Sequence, residues 1–113
     1  RLVGSEMCIR DRYFEEARSQ YMRDRRKDYA HIEKSGYRLP VTEVKVRYVG
    51  SLAYGDRVNI RAWITENRSR TITFNYEIRS SANSAILVSG STSHAWTNLE
   101  GKVTRAPSVW LNL

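Results

Sequence analysis

The chain has 113 residues, of which 41% are hydrophobic, and a formal net charge of +7. This length predicts one small domain with a modest core, and the basic balance favours an anionic partner such as nucleic acid, an anionic membrane or a phosphorylated compound. The single cysteine excludes an internal disulfide. Since the sequence shows neither a membrane-spanning run nor a secretory signal, we expect a cytoplasmic protein without membrane contact.

The first predicted element is a helix over about residues 13–34. Phe14, Ala17 and Tyr21 follow the helical period, and Gly36 supplies a stop signal. The second half of this stretch is almost wholly charged. It is therefore either a solvated turn of one helix or a break between two shorter helices.

After Pro40 the hydrophobic pattern changes to a period of two, which is typical of strands with one apolar face. Short links between the strands predict an antiparallel meander. The predicted strands cover about residues 44–48, 58–64, 72–78 and 85–97, with a fifth short strand near Val103.

A helix followed by antiparallel strands predicts an α+β fold in which the helix lies on the apolar face of a curved sheet. The helix residues Phe14 and Tyr21 are then expected to contact the apolar strand residues Val46, Ile60, Phe74 and Ile78.

Several segments, in this order and spacing, resemble the hot-dog-fold acyl-coenzyme A thioesterases of the 4-hydroxybenzoyl-CoA thioesterase type. The resemblance covers about residues 13–105 and implies one long central helix on a curved antiparallel sheet of four to five strands. The segments that carry it are Tyr13–Arg18, Leu39–Val41, Val44–Tyr48, Tyr54–Asp56 and Gly90–Ala95.

The family places a strand and a loop with a catalytic aspartate before this helix, whereas this sequence has only residues 1–12 there. Those residues do not match the family, so we expect 1–12 to be a non-native segment and 13–113 an incomplete hot-dog domain whose first strand is missing. Asp11 lies too close to Phe14 to stand for the catalytic aspartate. The resemblance therefore implies that this chain lacks the catalytic residue and hydrolyses no substrate. Arg25–Lys27 is a further departure from the family, which has an apolar, glycine-containing joint there.

The resemblance also implies residues that bind the substrate. Glu15, in the expected first turn of the helix, faces the ligand in relatives, although it would also complement the helix dipole. Pro40 and Val41 match a segment that lines the thioester channel, or form a plain lead into a strand. Tyr48 is either a contact to the acyl group or a core residue.

Arg68 and Arg70 flank the turn between two predicted strands, where basic residues of the family meet the coenzyme A phosphates. Guanidinium groups suit phosphate oxygens, but solvated hairpin charges would look the same. His31 and His94 are far apart and have no ligand set at metal spacing, so we expect no metal and no cofactor.

Three functions follow from these observations. The first is hydrolysis of a small or medium acyl-CoA, with subunits that join their sheets edge to edge into a homodimer or homotetramer. The second is binding or dehydration of acyl groups without hydrolysis. The third is a non-catalytic module that binds acyl-CoA or, through the basic run Arg23–Lys27, nucleic acid; acidic residues interleaved with that run argue against nucleic acid.

Overall fold

The chain folds as a long helix packed on one face of a four-stranded antiparallel sheet. The structure is a computed structural model that describes residues 4–25, 29–52 and 55–107. Arg26, Lys27 and Tyr54, which belong to segments discussed above, lie outside the described residues. The observed arrangement confirms the predicted α+β fold, with helix and sheet as two packed layers.

The predicted helix is observed as two helices, α1 (Gly4–Asp24) and α2 (Tyr29–Lys34). Of the two alternatives left open by the charged stretch, the break into two shorter helices is therefore the one observed. The predicted start near Tyr13 was wrong, because α1 already begins at Gly4. Residues 5–12 contain neither glycine nor proline, so nothing in them interrupts a helix.

Gly36 ends α2 as predicted. Its φ is 89°, in the left-handed region that glycine adopts without a steric penalty. Its amide donates to the carbonyl oxygen of Glu33 at 3.0 Å, which satisfies a carbonyl at the helix end.

All four long predicted strands are present. The strands are β1 (Tyr37–Arg38), β2 (Val41–Tyr48), β3 (Val58–Asn67), β4 (Thr71–Ser80), β5 (Ile86–Ala95) and β6 (Thr97–Asn98). The four long strands form one sheet with the order β2-β5-β4-β3, and a two-residue ribbon, β1 with β6, lies outside this sheet. The predicted fifth strand near Val103 is only an isolated bridge to Thr97.

The predicted meander holds for β3, β4 and β5 but not for β2, which pairs with β5 and not with β3. Residues 49–57 connect β2 to β3, and a hairpin loop needs only about two to five residues. The amides of Val49 and Gly50 donate to the carbonyl oxygen of Leu87 at 2.9 and 3.0 Å. The chain thus follows β5 beyond the end of β2 and then crosses to the far edge.

Aromatic side chains join α1 to the sheet. Phe14 stacks on Tyr76 with ring centroids 4.3 Å apart, and Tyr21 meets Phe74 edge-on at 5.6 Å. Both geometries are favourable for aromatic pairs. The strand residues that were expected beneath the helix do belong to this core: Phe74 and Ile78 are buried, and Val46 and Ile60 are partly buried against it.

The helix covers β3 and β4 more than β2. As a result Val44, whose alternation predicted an apolar environment, is 49% exposed, and Val41 at the start of the same strand is 45% exposed. Two apolar side chains of β2 are therefore accessible at one edge of the sheet.

Candidate functional site

Four of the predicted site residues lie at one end of the sheet. Pro40 and Val41 lead into β2, where Val41 is paired with His94 of β5. Arg68 and Arg70 lie in the turn between β3 and β4. Thr71, the first residue of β4, pairs with Ala95 of β5, and the Ala95 amide donates to the Pro40 carbonyl oxygen at 3.3 Å. The segment Leu39–Val41, called the channel segment after the role that the family resemblance implies, therefore flanks the same end of β5 as the turn that carries Arg68 and Arg70.

The other two predicted residues lie elsewhere. Tyr48 is at the opposite end of β2, where it pairs with Val88, about 23 Å along the strand from Val41 at 3.3 Å per residue. Glu15 is exposed on α1. Since α1 begins at Gly4, the predicted position of Glu15 in the first helical turn was wrong. Its role in substrate binding stays a prediction.

A third arginine, Arg105, lies near the β3–β4 turn and was not predicted. The amide of Ala106 donates to the carbonyl oxygen of Ser69 at 2.7 Å, and that of Thr104 to the carbonyl oxygen of Trp96 at 2.8 Å. These two bonds fix Arg105 beside the turn. No local pattern could have revealed it, because the contact joins segments more than thirty residues apart. Arg105 thus joins Arg68 and Arg70 at this end of the sheet, and the three residues are called the arginine cluster.

A pocket of about 260 Å³ opens beside the channel segment. Its lining combines apolar side chains, which suit a short acyl or alkyl group, with the charged residues Glu33 and Arg38. The lining residues are Ile32, Glu33, Arg38, Leu39 and Pro40.

A chain of hydrogen bonds runs from α1 across the sheet face beneath it to Leu39. Arg18 donates to the Tyr76 hydroxyl at 3.1 Å. That hydroxyl lies 2.6 Å from the Thr92 hydroxyl, which lies 2.8 Å from Nε2 of His94. The other ring nitrogen of His94, Nδ1, lies 3.1 Å from the Leu39 carbonyl oxygen.

The directions of these bonds follow from their two ends. The Leu39 carbonyl can only accept, so Nδ1 of His94 donates to it. Nε2 of the neutral ring then accepts from Thr92, whose oxygen accepts from Tyr76, and the arginine can only donate. Each bond of the chain therefore points from α1 toward Leu39.

The pKa of His94 is lowered from 6.5 to about 4, mainly by burial and also by the nearby positive charge of Arg18, while the hydrogen bond to Leu39 acts in the opposite direction. The ring is neutral near pH 7, with both nitrogens in hydrogen bonds. His94 is therefore a hydrogen-bonded sheet residue whose two ring nitrogens are both used within the fold.

The carboxylates of the described residues lie at the surface. Among the carboxylates whose burial the structure describes, from Asp11 onward, Glu77 is the only one that is not exposed, and it accepts a hydrogen bond from Arg79 at 2.8 Å. Within the same described ranges, no three side chains of His, Cys, Asp or Glu form a group that would hold a metal ion, and no helix is long and apolar enough to cross a membrane.

The model of the thioesterase-like superfamily matches residues 11–112. The chain is similar to a hypothetical protein from Thermus thermophilus, with 24% identity, a TM-score of 0.83 and coverage of 93% of this chain and 79% of that one. It is also similar to a DHNA-CoA thioesterase from Staphylococcus aureus, with 28% identity, a TM-score of 0.78 and coverage of 84% and 64%.

A third similar structure is a 1,4-dihydroxy-2-naphthoyl-CoA thioesterase from Synechocystis, with 20% identity, a TM-score of 0.82 and coverage of 96% of this chain and 83% of that one. No curated protein matches the chain. The family match extends over almost all described residues, including α1 from Asp11 onward and every strand of the sheet. The chain therefore belongs to the thioesterase-like superfamily, and its helix on an antiparallel sheet is the hot-dog fold of that superfamily.

Proposed function

We propose that this domain binds acyl-coenzyme A and serves the hydrolysis of its thioester, in which water converts a small or medium acyl-CoA to the free acid and the coenzyme A thiol. Membership of the superfamily supports thioester chemistry, as does the similarity to a relative whose name is DHNA-CoA thioesterase. The observation that carries the proposal is the arginine cluster beside the channel segment at one end of the sheet.

The arginine cluster provides cations for the coenzyme A phosphates. Arg68 is 72% exposed in its side chain and makes only a long contact of 3.6 Å to Glu66. Exposed ion pairs of this kind contribute little, so the guanidinium is available to a ligand. Paired N–H donors match phosphate oxygens.

The pocket beside Pro40 suits the acyl end of the same ligand. The hydrogen bond from His94 to Leu39 fixes the backbone of one wall of the pocket. Val41 comes directly after Pro40, the last residue of this wall, and has an exposed side chain. Glu15 and Tyr48 lie away from this end, so their part in substrate binding stays a prediction from the family resemblance.

Glu33 is a carboxylate that lines the pocket at this end, and its side chain is exposed to solvent. Thioester hydrolysis needs a group that activates water or attacks the carbonyl. His94 uses both nitrogens within the fold, and the carboxylates face solvent or pair with arginine. We therefore expect this 113-residue polypeptide to bind the ligand without accelerating its hydrolysis.

Calorimetric titration with a nonhydrolysable acyl-CoA analogue tests the site. The double variant R68Q/R70Q is expected to weaken binding at least about tenfold, since two charge-assisted contacts to phosphate are lost. Thiol release from a medium-chain acyl-CoA, followed in parallel, is expected to stay at the rate of buffer.

Arg57 provides the matched control because it lies at the opposite end of the sheet, where its carbonyl oxygen accepts from the Ser81 amide. R57Q removes the same type of charge and should leave affinity unchanged. Equal weakening by R57Q would show that net charge and not the arginine cluster binds the ligand. Turnover abolished by one substitution in this chain would refute the expected inactivity.

Edge pairing through β2 is the second part of this proposal. β2 is an edge strand of the described sheet, and an unpaired edge with exposed apolar side chains favours strand addition by another chain. Its apolar residues Val41 and Val44 are joined by Val49, which is 59% exposed. We expect a homodimer in sedimentation and a shift toward monomer in V44K, whereas a monomeric wild-type chain would contradict the pairing.

A further inference from the structure

The sheet face that points away from α1 carries a groove of about 500 Å³. Neighbouring side chains on a strand point to opposite faces, so Asn75, between buried Phe74 and Tyr76, points away from α1. Across the sheet Asn75 pairs with Ser91 on one side and with Trp63 on the other. One row of the outer face therefore has small polar side chains at its centre.

The second row of this face has the same arrangement. Arg47 pairs with Ser89, Ser89 with Glu77, and Glu77 with Arg61. The central strands β5 and β4 thus carry mostly short side chains, while the edge strands carry long or aromatic ones. This difference in side-chain size creates the groove, with serines on its floor and larger residues as its walls.

The walls of the groove are positively charged. Lys45 contacts Glu43 at 3.3 Å, but both side chains are more than half exposed, so the contact offsets little of the charge. Glu77 is paired with Arg79 at 2.8 Å. Arg47 has no ion pair or hydrogen bond from its side chain to any of the described residues. Cations therefore outnumber carboxylates here, and the groove favours an anionic ligand.

The wall on β3 offers a surface for a flat ring. Trp63 lines the groove, and the guanidinium of Arg61 lies 5.2 Å from its ring centroid. Tryptophan and arginine both stack on nucleobases, and base-aromatic stacking tolerates any base. The cations on β2 lie three strand spacings away, about 14 Å at 4.8 Å per strand.

We propose that this groove binds a free nucleoside diphosphate, with the base on Trp63 and the phosphates on Lys45 and Arg47. The serine hydroxyls of the floor supply hydrogen bonds to a ribose between them. The distance between the walls fits one nucleotide, and the volume lies within the range of about 300–1,000 Å³ that small-molecule sites occupy. A nucleic-acid strand would need a longer groove, because single-strand sites span about four or more nucleotides.

This site is separate from the one proposed for acyl-CoA, which lies at the end of the sheet. ADP is also the nucleotide part of coenzyme A and would bind the arginine cluster as well, so the calorimetric titrations with ADP use the whole chain with R68Q/R70Q, in which one site is expected. Trp63→Leu should weaken ADP binding at least about tenfold, whereas Trp63→Phe, which keeps a ring, should weaken it less. K45Q/R47Q should also weaken it at least about tenfold through the lost phosphate contacts.

Two partial ligands test the two ends of the groove. Adenosine, which has no phosphate, and pyrophosphate, which has no base, should each bind at least about tenfold more weakly than ADP, because the linked groups bind as one ligand. R68Q/R70Q should keep the groove site for ADP, which Trp63→Leu still weakens in that background, while it weakens the acyl-CoA analogue, so that failure of one proposal is distinguishable from failure of the other.

Absence of ADP binding at millimolar concentration would overturn the inference. So would full ADP affinity in Trp63→Leu, or loss of ADP affinity in R68Q/R70Q, which would assign the nucleotide to the arginine cluster. A single-stranded oligonucleotide that binds more tightly than ADP through the same residues would also overturn it in favour of nucleic acid.

Discussion

Gly90→Ala is expected to destabilise the fold by about 3 kcal/mol, at the upper end of the usual cost of overpacking a core. A Cβ at this position would lie 2.6 Å from the carbonyl oxygen of Lys45, and 3.0 and 3.1 Å from two ring carbons of Phe14. Alanine is otherwise better than glycine in a strand by about 0.5–1 kcal/mol, so the clash decides the sign. Chemical denaturation measures the difference.

Ser91→Ala is the matched control, since it changes the next residue of β5 on the opposite face of the sheet. It should change the free energy of unfolding by less than about 0.5 kcal/mol. In a background of Phe14→Leu, the cost of Gly90→Ala should decrease but persist, because the contact with Lys45 involves backbone. Equal or greater stability of Gly90→Ala would show that β2 and Phe14 approach β5 less closely than described.

Stability is expected to fall on acidification because of His94. Its pKa is lowered from 6.5 to about 4 on folding, so between these values the unfolded chain binds a proton that the folded chain does not. The contribution of the neutral ring is fully present above about pH 6.5 and is lost as the pH falls toward 4. The loss is about 1.4 kcal/mol at pH 5.5 and about 3 kcal/mol below pH 4, at 1.36 kcal/mol per pKa unit.

Denaturation at pH 7.5 and 5.5 measures whether the free energy of unfolding falls on acidification, in wild type and in two variants. His94→Gln keeps a donor and an acceptor but does not titrate, so its free energy of unfolding should fall about 1.4 kcal/mol less than that of wild type. His31→Asn, which replaces the other histidine on exposed α2, should retain the wild-type loss. An identical pH dependence in wild type and His94→Gln would contradict a neutral buried ring.

The sequence allowed the strands to be predicted because their alternation is local. Ile72, Phe74, Tyr76 and Ile78 repeat at period two, and all four are buried beneath α1. The order of the strands depends on pairings between distant residues. The placement of β2 beside β5, with Val46 opposite Gly90, follows from a crossing connection that no short-range pattern encodes.

The candidate site was predictable only in part. The family resemblance identified Arg68 and Arg70, and the structure places them at the same end of the sheet as Pro40. Arg105 could not be found this way, since two backbone bonds between distant segments bring it there. The start of the helix was misplaced at Tyr13 because the family resemblance begins there. The helical propensity of residues 5–12 does not differ from that of the residues that follow, so α1 continues through both.

The one-way hydrogen-bond chain from Arg18 to Leu39 also restricts how this sequence can change. Each hydroxyl in it accepts from one neighbour and donates to the next. Replacing Thr92 by valine would therefore leave Tyr76 without its acceptor and His94 without its donor, at a cost of about 1–3 kcal/mol for each buried group. Tyr76, Thr92 and His94 should therefore tolerate replacement by apolar residues only when all three are replaced together.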